Sequence, residues 1–392
     1  MVNEYIAFNS HAYSLSYYLF ELANYSSLIL LAVIFRSLGF LNNSSFWTWC
    51  ILLLSPFFFN YVLFDVFFYG DQQLYTMEAI EQALPYGLEG KKINSGAIGI
   101  MNTSFLTAKM LSFAPIPMIM TYTSLAFANK FFTLILFVWL AKFIDQDKLI
   151  FFFLIPSFIL YSSLSLRDPM IMVFSCVYLV HLINRKYLFA MIFLAPLFLL
   201  KFQNFSFLLV AFVAMVFFQA HKSKLGLIIF FITAIIGSLI FQERLLEGLN
   251  IYRIAFAMED SVDGYEFFSE FNDSSLLKIN SIFSLILISI QELPKFLLIP
   301  LPWNWTNPFH VVQFFESLLL LIIMTAIVVR FQLHKTLEFY PLLVSLMSGL
   351  IIYSLIAFNE GTFVRYRFSF FFPFLIAFYY LGLKISQEKQ IK

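Results

Sequence analysis

From Leu342 to Leu383 the chain reads LLVSLMSGLIIYSLIAF, then NEGTFVRYR, then FSFFFPFLIAFYYLGL. Two apolar runs, Leu342–Phe358 and Phe368–Leu383, enclose the polar stretch Asn359–Arg367, which holds Asn359, Glu360, Arg365 and Arg367. Apolar runs of this length read as lipid-embedded helices. Charges at the mouth of such helices are costly to hold, so they serve either anchoring or function.

The same grammar extends over the whole chain. Of 392 residues, 61% are hydrophobic and 20% aromatic, 54 of them phenylalanine, while only 12% are charged. A soluble domain is nearer half apolar and a quarter charged. The expected fold is therefore all-α, a polytopic integral membrane protein forming a single transmembrane domain over residues 1–392. Outer-membrane barrels alternate polar and apolar residues in short strands, and these runs do not. A net charge of +1 gives no electrostatic footprint for nucleic acid. Cys50 and Cys176 lie inside apolar runs and read as core residues, not a disulfide or a metal pair. Met1–Ser14 lacks the basic start and apolar core of a removable signal peptide.

In chain order, spans are expected near Ser16–Phe35, Phe46–Phe68, Thr121–Phe143, Leu149–Leu164, Met170–Ile183, Tyr187–Leu200, Phe205–Ala220, Leu225–Phe241, Val311–Val329 and the two closing runs. Ala97–Ser112 is only half apolar and reads as an interfacial or re-entrant helix. Ile279–Pro300 is interrupted by Glu292, Pro294 and Lys295 and reads as a re-entrant or broken helix. The total is about eleven full spans at roughly 20 residues each. Two long polar stretches, 70–96 and 242–278, read as loops, the second as a solvated acidic lid.

Short basic links orient the chain: Arg36, Lys142 with Lys148, Arg185 with Lys186, Lys222 with Lys224, Arg330 with Lys335, and the tail. Placing them in the cytoplasm puts the remaining polar segments on the opposite face. Asp71, Arg167 with Asp168, Lys201, the acidic stretch and Asn359–Arg367 then share one side. That pattern favours a one-sided site over a midplane transport path, which goes with internal repeats.

Each candidate has a plain reading beside the chemical one. Asp71 follows a span, with Glu78 about two turns on; a carboxylate at that boundary serves as a general base or belongs to a solvated loop. Asp168 precedes Pro169 and fits a helix N-cap. Arg167 is not explained by that cap, and its fork-shaped guanidinium matches a diphosphate. Lys201 fits a snorkelling lysine. Arg365 and Arg367 lie about 200° apart on a helix, so one of them at most faces a common site. Pro302–Trp305 reads first as an interfacial aromatic anchor. No His/Cys/Asp cluster has zinc spacing, and no P-loop, dinucleotide fingerprint or G-x-S-x-G occurs. No cofactor is expected; the acidic stretch leaves room for a divalent cation without an EF-hand pattern.

Span number, a sizeable late loop, Ser165-Leu-Arg-Asp168 after an apolar helix and Asn359–Arg367 before the last span together resemble the Wzy-type O-antigen and capsule repeat-unit polymerases. Gly70-Asp71 with Tyr75 is similar to the first outer loop of GT-C glycosyltransferases. The resemblance implies an enzyme of the bacterial inner membrane, active at the periplasmic face in polysaccharide and lipopolysaccharide biosynthesis. It would transfer a glycan from undecaprenyl diphosphate to a sugar hydroxyl of another lipid-linked repeat unit. Asp71 would be the base, with Glu360 its alternate. Arg167 would neutralise the departing diphosphate, while Arg365, Arg367, Lys201, Asn359 and Asp168 would bind substrate. Membrane lipids, a chain-length regulator and a flippase are the implied partners. Three other readings stay open: a GT-C enzyme adding one sugar from a polyprenyl phosphate, a ligase joining glycan to lipid A core, and a flippase or transporter. Glu21, Asp65, Asn129, Lys130 and Glu316 are the residues that fit the transporter.

Overall fold

The computed structural model describes residues 15–64, 72, 75, 103–117, 119, 121, 123–221, 242–263, 278–306, 308–357 and 360–391, and among them it is helical without strands. Asp65, Asp71, Asn359, most of the 70–96 loop and the expected span Leu225–Phe241 lie outside these residues. In order, α1 is Leu15–Ser37, α2 Asn43–Leu52 and α3 Ser55–Phe58, which continues as a π-turn over Phe59–Leu63. Then come α4 (Thr103–Leu111), α5 (Ser124–Leu140), α6 (Gln146–Phe153), α7 (Pro156–Tyr161), α8 (Asp168–Ile183), α9 (Tyr187–Leu200) and α10 (Phe202–His221). The remainder is α11 (Gln242–Asp263), α12 (Ile282–Leu298), α13 (Pro308–Arg330), α14 (Phe339–Ile356) and α15 (Glu360–Ile391).

Five helical stretches are long and apolar enough to cross a membrane: Leu15–Ser37, Asn43–Leu63, Pro308–Arg330, Phe339–Ile356 and Gly361–Gln390. Four shorter apolar helices, Ser124–Leu140, Asp168–Ile183, Tyr187–Leu200 and Phe202–Phe217, accompany them. Expectation and structure part where proline and polar residues interrupt the apolar runs. Leu149–Leu164 is not one helix, because Pro156 opens α7 and has no N–H with which to prolong α6.

Two sequence-based expectations are corrected. The 242–278 stretch is not loop throughout, since its first part forms the 22-residue helix α11. Leu246, Leu249, Asn250 and Arg253 recur at i, i+3, i+4 and i+7, and this apolar-plus-polar face is what orders it. Ile279–Pro300 is not broken at Glu292–Lys295. The helix α12 runs from a Ser281–Ser284 capping box to Leu298 with Pro294 inside it. The polar stretch Asn359–Arg367 is helical from Glu360 on, where α15 starts.

The chain forms two compact units, Met1–Val177 with Ala195–Phe202, and Tyr178–Leu194 with Gln203–Lys392. Within the first, a cluster of rings forms the centre. Trp49 meets Phe137 and Phe153 edge-on at centroid distances of 5.6 and 5.8 Å, and Phe153 meets Phe158 at 4.6 Å. All four are fully buried. Burial from lipid supplies little hydrophobic drive, so ring geometry and close packing carry the association. The turn at Gly39, which takes a positive φ of 78°, leads into Asn42. Asn42 caps α2 through Ser45 N and bonds Asp147 at the start of α6.

In the second unit Tyr353 of α14 is the hub, with Phe207, Tyr366 and Phe370 at 5.5, 4.8 and 5.6 Å. Its hydroxyl donates to Asn204. Beside it, Gly349 lies directly under the Phe370 ring, and a methyl group there would overlap that ring. This close approach is the small-residue contact that lets two apolar helices pack in lipid. Gly349→Val should therefore cost about 1–3 kcal/mol of overpacking, read as a lowered melting temperature in detergent. An exposed control on the same helix, Met347→Val, should stay near wild type.

Candidate functional site

The break expected at Ser165–Pro169 is real, and the first unit is built to hold it. Residues 162–167 leave the helical path between α7 and α8. Leu164, Ser165 and Leu166 are completely buried, so their backbone groups need protein partners. Asn129, in the second turn of α5, donates through Nδ2 to both Leu164 O and Leu166 O at 2.7 and 2.8 Å. Asn60 donates to Ser163 O at 2.9 Å. It reaches that carbonyl from the π-turn, where one extra residue per turn re-aims a side chain. Gln72 Oε1 accepts from Ser165 N at 2.7 Å, and Ser165 Oγ accepts from Ala126 N at 3.1 Å. Ser55 and Ser163 share a hydroxyl hydrogen bond of 2.6 Å.

Two ionisable groups border this seam deep inside the unit. Lys130, next to Asn129 on α5, is fully buried and donates to Ser162 Oγ at 2.8 Å. Glu21 of α1 is equally buried and accepts from the Tyr61 hydroxyl at 2.6 Å. Tyr61 also lies 3.5 Å from Thr123 Oγ1. Both groups sit in apolar helices, where an ionisable side chain is expensive and marks function or a folding constraint. The sequence signal for them was a polar residue inside an apolar run, visible at Asn60, Asn129 and Lys130 alike.

The residues expected to bind substrate are distributed as follows. Asp168 is buried as the first residue of α8, where a carboxylate meets the positive end of the helix. Arg167 is partly exposed, and its Nη1 donates to Leu200 O at 3.4 Å. That bond joins the Ser162–Arg167 break to the break at Lys201 between α9 and α10, and Lys201 is buried. Arg167 and Lys201 are thus brought to neighbouring helix ends. Arg365 and Arg367 belong to the second unit. Arg365 is partly exposed, whereas Arg367 is buried and donates to Leu297 O and Ile299 O, both at 2.7 Å. Arg367 therefore caps the C-terminus of α12, a structural task the sequence did not reveal. Glu360 opens α15.

Arg253 of α11 does the same for α14 by donating to Leu355 O. Burial pulls its guanidinium down from the ordinary arginine value, and nearby Glu292 opposes the shift. Arginine starts so high that the group stays charged. Between α11 and Lys278–Asn280 lies a groove of about 590 Å³ that includes Glu243, Glu247, Asn250 and Lys278. Asn250 fastens its floor through Ile279, donating to O at 3.0 Å and accepting from N at 2.8 Å. Among the described residues no three His, Cys, Asp or Glu side chains gather at metal-binding distance.

No protein-family model, curated protein or solved structure matches this chain.

The seam separates a scaffold residue from an ionisable one. Asn129→Leu strips two buried carbonyls of their donor and should cost at least about 2 kcal/mol. Lys130→Met keeps the side-chain volume and removes a buried amine, so folding should be preserved or improved. Thermal unfolding of both variants in detergent checks the contrast.

Proposed function

We propose that this chain is a membrane glycosyltransferase that polymerises undecaprenyl-diphosphate-linked oligosaccharide repeat units at the periplasmic face of a bacterial inner membrane. The observation that carries the reading is the junction of Arg167 and Lys201 at two adjoining helix breaks, with Arg167 partly exposed. Two cations at helix ends in apolar surroundings suit a lipid diphosphate, whose negative charge grows as it leaves the sugar. Arg365, partly exposed on the first turns of α15 in the second unit, is a separate candidate for binding substrate phosphate. Arg367, in the second unit, holds the end of α12. The acidic groove beside α11 offers carboxylates and an amide for acceptor hydroxyls, as an acceptor-binding surface requires. Asp71 remains the proposed base, with Glu360 its alternate, and a divalent cation is compatible with the acidic stretch. Glycan substrates, a chain-length regulator, a flippase and about eleven spans belong to this proposal. A single-sugar GT-C transferase and a lipid A core ligase share its donor chemistry.

A second reading has its own support. Glu21, Asn129 and Lys130, the residues that fit a transporter, are all fully buried within the first unit. Ionisable groups enclosed in membrane helices are the usual furniture of ion-coupled transport.

One experiment separates the readings. Surface polysaccharide is resolved on gels from a deletion strain complemented with wild type, Arg167→Ala or Arg167→Lys, with membrane protein levels matched. The polymerase reading expects a ladder collapsed to single-repeat material. Wild type restores it, and neither variant does, since lysine cannot make the bidentate phosphate contact. Long chains lacking one sugar identify the single-addition enzyme. Repeat units retained on the cytoplasmic face identify the transporter.

A further inference from the structure

In the second unit, α8 stops in an unusual way. Arg185 N bonds Leu182 O at 2.9 Å and Lys186 N bonds His181 O at 2.9 Å, which is the paired closure of a Schellman turn. The turn demands a left-handed residue, and Arg185 occupies it with φ at 59°. Glycine is the ordinary occupant, because an arginine there bears the Cβ clash that glycine avoids. An outlier of this kind points to a use for the side chain. The guanidinium reaches Glu338, at 2.9 Å, immediately before the apolar helix α14. Two further bonds fasten the same corner: Tyr380 donates to Asn184 Oδ1 at 2.7 Å, and Lys384 donates to Ile183 O at 2.9 Å.

These groups surround a cavity of about 380 Å³, lined by Arg185, Glu338, Leu381, Lys384, Ile385 and Glu388. Its wall carries two cations, two carboxylates and two aliphatic side chains. Helix capping accounts for one N–H of Lys384, and the ion pair for one nitrogen of Arg185. Neither accounts for Glu388 or for the cavity itself. A purely anionic ligand would meet two carboxylates, and a cation two basic groups. The lining instead complements a ligand carrying both signs beside an apolar body. The cavity opens where spans of the second unit begin and end, since Glu338 abuts one crossing helix and Lys384 lies in the last turns of another.

We infer that this corner binds the headgroup of a zwitterionic phospholipid of the phosphatidylethanolamine type. Its phosphate accepts hydrogen bonds from Arg185 and Lys384, and its primary ammonium donates to Glu388. The glycerol and upper acyl chain run past Leu381 and Ile385. Basic pockets between membrane helices bind lipid phosphates by the same chemistry; the carboxylates narrow the choice to an ammonium-bearing lipid.

The test is thermal unfolding of the full-length chain, purified in detergent and titrated separately with dioleoyl phosphatidylethanolamine, dioleoyl phosphatidylglycerol and soluble glycerophosphoethanolamine. Arg185→Gly is the decisive variant, because glycine relieves the left-handed turn and leaves the fold at least as stable without lipid. Wild type should be stabilised by the ethanolamine lipid at a concentration about tenfold lower than in Arg185→Gly, the loss of one charge-assisted hydrogen bond. Glu388→Gln should erase the preference for the ethanolamine lipid over the glycerol lipid. Equal response of wild type and Arg185→Gly to the ethanolamine lipid overturns the site. Equal stabilisation of wild type by the two lipids overturns the ammonium assignment. Stabilisation by the soluble headgroup at the lipid's own concentration overturns the lipid as occupant.

Discussion

A helix that ends inside apolar surroundings leaves its last carbonyls without donors, and each unpaired one costs on the order of 1–3 kcal/mol. This chain meets that constraint with basic side chains. Arg167 donates to the end of α9, Arg253 to the end of α14, Arg367 to the end of α12 and Lys384 to the end of α8. The arrangement also sets a positive charge at the negative pole of each helix. Much of what reads in the sequence as a scatter of cations at membrane boundaries is thus a set of fasteners. The helices can be short and broken because their ends are closed in this way.

The internal break of the first unit is solved by different means. Here Asn60 and Asn129 donate to the carbonyls of Ser163, Leu164 and Leu166, Gln72 Oε1 accepts from Ser165 N, and Ser165 Oγ accepts from Ala126 N. Neutral amides suit these buried groups, and the two ionisable side chains beside them, Lys130 and Glu21, are each hydrogen-bonded to a hydroxyl, that of Ser162 and of Tyr61. The ring cluster around Trp49 and the polar seam are complementary halves of one design. The rings pack edge-on to fill the centre, and the seam fixes which way the broken segment turns.

This division changes how the cations bear on function. Arg253 and Arg367 are buried and committed to carbonyls, while Arg167 and Arg365 are partly exposed. The same logic explains why Arg365 and Arg367, two residues apart, differ so much. A helix sends them to nearly opposite sides, and α15 is already helical at that point.

Composition and run length alone determined that the chain is helical, that it carries helices long and apolar enough to cross a membrane, and that the chain breaks near Pro169. Those properties depend on apolar content and on proline's missing N–H, both local to the sequence. Tertiary structure decided the rest. The order of α11 depends on Leu246 and Arg253 finding α14, and the continuity of α12 depends on Arg367 closing its end. Whether a cation is buried against a carbonyl or partly exposed depends on what folds against it. That partner lies far away in the chain, 70 residues from Arg367 in the case of Leu297, and no local pattern names it.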